Sequence, residues 1–104
     1  MYRLTTPTIT FKLPETVDLT LASNLYVTFA TKQQKKLLEK NESELDITAH
    51  TVGVFLTQEE TKELIGDSVK VQLNWTYVEE GVTKRACSNI VEISVRENLK
   101  KEII

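Results

Sequence analysis

From Val69 to Tyr77 the chain reads VKVQLNWTY, with Val69, Val71, Leu73, Trp75 and Tyr77 at alternate positions and Lys70, Gln72, Asn74 and Thr76 between them. Successive strand side chains point to opposite faces, so a period of two predicts a half-buried antiparallel strand. The period recurs in TITFKL (Ile9, Phe11, Leu13), NLYVTFAT (Leu25, Val27, Phe29), TVGVFL (Val52, Val54, Leu56) and IVEISV (Val91, Ile93, Val95). Five strands share one inward-facing logic. In KKLLEKN, hairpin spacing favours a sixth strand over a helix, with Leu37 and Leu38 paired to NLYVTFAT through a turn at residues 32–35.

A seventh strand starts near Val82, after a reversal at Gly81 in VEEGVTK. Its inward phase slips, because Val82, Ala86 and Ile90 are even-numbered while Val91, Ile93 and Val95 are odd. One extra residue changes the facing side, so the slip predicts a bulge near residues 87–89. TQEETKELIG carries the one helical signal: Thr57 as N-cap, Glu60 completing a capping box, Gly66 as the stop, and Leu64 with Ile65 tucked against the sandwich edge. About seven short strands, one short helix near residues 58–65 and no βαβ alternation predict an all-β protein of two antiparallel sheets packed face to face, with Trp75 near the middle.

Length and charge narrow the picture. A chain of 104 residues suits a single domain with one core, here flanked by an extended arm (residues 1–7, ending in Pro7) and a tail (residues 97–104). Thirteen basic against fifteen acidic side chains give no field to gather phosphates or an anionic bilayer, which argues against nucleic-acid and membrane partners. No apolar run approaches the roughly 20 residues of a membrane span, and MYRLTTPTIT lacks a signal core.

Candidate chemistry is sparse. His50 and Cys87 are the only histidine and cysteine, too few for a zinc site, and a nucleophilic pair would have to be assembled by the fold, with Lys84 and Arg85 as cationic neighbours. The acidic run EKNESELD (residues 39–46) lacks the glycine and spacing of a calcium loop, so a solvated loop is expected. Glu79 and Glu80 could mimic a glycosidase dyad, but adjacent residues at a hairpin tip point apart and an exposed tip lacks the burial that raises an acid's pKa, so solubility is the better explanation. Asn41 and Asn74 match glycosylation sequons that read as chance. Gly53, Gly66 and Gly81 are scattered singly and build no phosphate loop, and Tyr26 and Tyr77 lack the interleaved basic residues of a base-stacking surface. No catalytic, cofactor-binding or metal-binding residue is therefore assigned.

The succession TTPTITFKLP, VDLTLASNLYVTF, TVGVFLTQEET, VKVQLNWTYVEEGVTKRACSNIVEISV and ENL resembles small structural proteins of tailed phages and prophages of Gram-positive hosts, and distantly the N-terminal domain of the phage baseplate upper protein. The resemblance implies an immunoglobulin-like β-sandwich that serves as a virion building block at the tail, baseplate or a ring, made in the bacterial host cytoplasm. It implies no catalysis. Partners would be proteins, both further copies in a homo-oligomer and other virion components. Apolar residues at the two ends, Tyr2 and Leu4 in the arm and Leu99, Ile103 and Ile104 in the tail, are the expected contacts. A competing expectation is a small inhibitor or adaptor encoded by a mobile element, binding a host protein through an exposed edge or the acidic loop.

Overall fold

The alternating stretches fold as strands, and in a computed structural model that describes all 104 residues they form an all-β sandwich. The smaller sheet has the order β1 (Thr8–Lys12), β5 (Thr51–Phe55), β4 (Leu45–Ile47). The larger has the order β3 (Lys36–Asn41), β2 (Ala22–Ala30), β6 (Ser68–Glu79), β7 (Val82–Cys87), and β8 (Val91–Ser94) continues beside β6 where β7 stops. Every pairing is antiparallel.

The core is the set of inward alternating positions. Leu25, Val27, Phe29, Val69, Val71 and Leu73 meet Val52, Val54 and Leu56, and Leu19, Leu64, Trp75 and Val95 close the ends. Each such side chain contributes roughly 1.5 to 3 kcal/mol on leaving water. Trp75 departs from expectation: it sits at the last covered position of β6 rather than mid-core, since Tyr77 beyond it is only half-buried.

The slip in phase is a one-residue bulge. Asn74 faces Cys87 and Val71 faces Val91, so three residues along β6 correspond to four along its partner. Ser88 holds the irregularity: its N–H donates to Leu73 O (2.9 Å), its hydroxyl accepts from Leu73 N–H (3.0 Å), and its carbonyl accepts from the Gln72 amide (2.9 Å). At the other end, Glu80 and Gly81 have φ of 52° and 77°, the two left-handed residues of a type I′ hairpin turn.

The helix is α1 (Gln58–Lys62), with both halves of its capping box formed by Thr57 and Glu60. Gly66 adopts φ 92° after it, where a Cβ would be strained.

Three expectations about facing are corrected. Val82 is 56% exposed because the small sheet ends before the β6–β7 hairpin does, leaving its inner face uncovered. Ile90 is 50% exposed and lies on the outer face beside Gln34, Lys70 and Gln72, because the bulge has already flipped the chain at Ser88 and Asn89. Ile65 stands in solvent while Leu64 alone is buried. The acidic run is also more ordered than a solvated loop: Asn41 caps a 3-10 turn over Glu42–Glu44, and β4 follows directly.

Candidate functional site

The two long sides of the sandwich are built differently. On the side of β3 and β4 the chain crosses between sheets through the capped turn, and Lys40 lies across the seam. Lys40 faces Val27 in the pairing of β3 with β2, which turns its side chain inward, where it is only 6% exposed. Its ammonium donates to Phe55 O (2.6 Å) at the end of β5 and pairs with Glu60 Oε1 (2.8 Å) on α1. Glu60 Oε1 also accepts the Thr57 N–H (2.9 Å). Burial pushes the Glu60 carboxyl up, but the hydrogen bonds from Lys40 and Thr57 together with the Lys40 charge outweigh it and hold the group below the ordinary glutamate range.

The opposite side stays open. An apolar trough of about 670 Å³ runs between β1 and the β7–β8 edge, walled by Ile9, Phe11 and Leu13 on one side and by Leu73, Trp75, Val91 and Ile93 on the other. Val17 and Trp75 carry it on into a second depression of about 380 Å³ along the uncovered hairpin, bordered by Asp18, Leu21, Tyr77, Glu79 and Ala86.

The β1 wall is an unpaired strand edge. Leu13 N–H donates to His50 O (2.8 Å) and Leu56 N–H to Pro7 O (3.0 Å), so the odd-numbered residues of this segment bond to β5. Antiparallel pairing alternates, and Thr8, Thr10 and Lys12 therefore turn their backbone groups toward the open side. Lys12 has no acidic partner within ion-pair distance. Farther along the trough the charge is negative: the Thr20 hydroxyl and then its N–H hold Asp18 below the ordinary aspartate range, and Glu79 pairs with Lys84 at 3.0 Å.

Of the expected contact residues, those of the arm are largely tied to their own domain. Met1 N donates to Ser94 O (2.9 Å), Arg96 N–H to Met1 O (2.8 Å) and Arg3 N–H to Arg96 O (2.9 Å), a short parallel ladder around the Tyr2–Arg96 bridge. Arg3 also donates to Leu64 O (3.0 Å) and pairs with Glu97 (2.6 Å). Tyr2 is exposed, whereas Leu4 is half-buried in a left-handed turn with φ 62°. The tail is different. Leu99 is 99% and Ile104 87% exposed, Ile103 is exposed to a lesser degree, and Gln58 alone holds the Ile104 backbone.

His50 donates from Nδ1 to Val17 O (2.7 Å), and Cys87 is exposed at the trough rim, with no hydrogen bond joining it to His50, Lys84 or Arg85. Tyr26 lies on the outer face of the large sheet with Asn24, Asn74 and Arg85, while Tyr77 lies on the inner. No protein-family model, characterised protein or solved structure matches the chain.

Proposed function

We propose that the chain is a non-enzymatic structural or accessory protein of a tailed-phage particle, a tail, baseplate or ring component made in the bacterial host cytoplasm, that works by binding further copies of itself and neighbouring virion proteins. The carrying observation is the tail, whose apolar side chains stand in water instead of packing on their own domain. Exposed apolar groups of this kind gain by docking elsewhere, and the unpaired β1 edge beside an apolar trough offers a docking place of the sort that strand addition uses. The resemblance of the strand and turn order to phage structural proteins supports the virion setting.

Mass spectrometry of purified particles tests the reading: the chain should be present at high copy number. Its absence from particles, together with co-purification with a host protein, would instead establish the inhibitor or adaptor. That alternative draws on Glu42, Glu44 and Asp46, an acidic group presented on the capped turn and β4.

A further inference from the structure

We infer that the trough is the receptor for the C-terminal tail of a second copy, which enters as a strand antiparallel to β1. This rests on the assembly reading above and adds the site, the occupant and the register.

Alternation and charge fix the register. With Glu102 opposite Lys12, both side chains lie on the outer face, where a cross-strand pair of opposite charge gives Lys12 the partner it lacks within its own chain. Ile103 then falls opposite Phe11 and points inward with it, onto the apolar wall of Leu73 and Val91. Lys101 also points inward, toward the depression bordered by Asp18 and by Glu79, whose carboxylate it would share with Lys84. Leu99 reaches the uncovered hairpin beside Leu21 and Tyr77. The backbone groups of Thr10 and Lys12 supply the ladder. Shifting the tail by one residue would put Glu102 inward and Ile103 outward, so the pattern admits this register and not its neighbours.

Chain reach makes the donor a second copy. Asn98 is held to Arg3 O (3.3 Å), at the end of the sandwich where the arm and α1 lie. The antiparallel run has to begin at the opposite end of β1, about 17 Å away along its five residues. One further residue spans only about 3.8 Å, so a chain's own Leu99 cannot start that run. In the isolated chain the Ile104 backbone rests on Gln58, Glu102 pairs with Lys100 (3.2 Å) and Lys101 with Glu97 (2.9 Å); all three are exposed contacts that docking exchanges for those in the trough.

Sedimentation velocity on the full chain and its charge variants tests the assignment. Lys12 and Glu102 are exposed, so Lys12→Glu and Glu102→Lys should fold normally. Each should weaken association about fivefold, and the double variant, or an equimolar mixture of the two single variants, should restore it to within about twofold. Ile103→Asp should weaken association about tenfold or more. Association that ignores the single changes, or is not restored by the swap, overturns the tail-in-trough contact and leaves the assembly reading standing. A chain that stays monomeric up to about 1 mM overturns it as well, and particle composition then judges the assembly reading separately.

Discussion

Along one side of the sandwich the seam is stitched by side chains, with Lys40 joining β3 to Phe55 O and Glu60, while along the other the two sheets part around an apolar trough. The difference follows from strand economy. Three short strands cannot cover a β6 that runs twelve residues, so cover is concentrated where the chain crosses between sheets, and the far edge and hairpin are left bare. Side-chain stitching is thereby concentrated on one side of one small core, and the other side is left open for the proposed contacts.

The sharpest challenge to that division is at Trp75, which belongs to the core and also floors the trough. Trp75→Ala should cost about 3 to 5 kcal/mol in chemical denaturation, through truncation and the cavity it leaves. A loss under 1 kcal/mol would mean that the open side contributes nothing to the fold. Next comes the stitched side. Lys40→Ala removes a buried cation and strands a partly buried carboxylate, with an expected loss of about 2 to 4 kcal/mol, discounted because Glu60 keeps some access to water. Lys40→Met, which keeps the stem, should recover part of that loss.

A smaller effect is expected where the arm docks beside Arg96 and Leu64 at the end of the sandwich. Arg3→Ala breaks the bond to Leu64 O and the pair with Glu97 and should cost about 1 to 2 kcal/mol by the same measurement. The smallest is a pH effect. Because folding holds the Glu60 carboxyl below its unfolded value, the stability it contributes is present above the ordinary glutamate pKa and is lost as pH falls through the lowered one. Denaturation of the native chain between about pH 5 and 3 should therefore be steeper in pH than that of Glu60→Gln. Equal slopes would show that the Lys40 contact does not depend on the charge of Glu60.

How much of this was legible depended on whether local pattern or tertiary cover decided the outcome. Alternation in β2, β5 and β6 named the buried faces correctly, because one residue type per face is what a two-layer core demands. The capping box and the bulge were readable for the same reason: each is a local rule with a fixed spacing. Lys40 was not, since an inward lysine between Leu38 and the acidic turn reads as a polar position unless the distant Glu60 and Phe55 O are known to lie opposite. Nor was β4, hidden inside an acidic run. Val82 misled because its phase was right but nothing arrives to cover it. The trough has no sequence signal of its own, for it consists of edges that the other strands leave unpaired. The two ends looked alike in composition, and the backbone bonds of Met1, Arg3 and Arg96 against the single Gln58 hold on an otherwise exposed Ile104 separate a tied arm from a loosely held tail.

The bulge at Ser88 and Asn89 also makes the two rims of the trough unequal. Outward-pointing backbone groups repeat every second residue along β1, but across the β7–β8 junction the step from Cys87 to Glu92 spans five. A foreign strand can stay in step with the first rim and falls out of step on the second. Sheet growth would thus be hindered on one bank and guided on the other, so the proposed tail contact would use a one-sided track instead of a template for indiscriminate stacking.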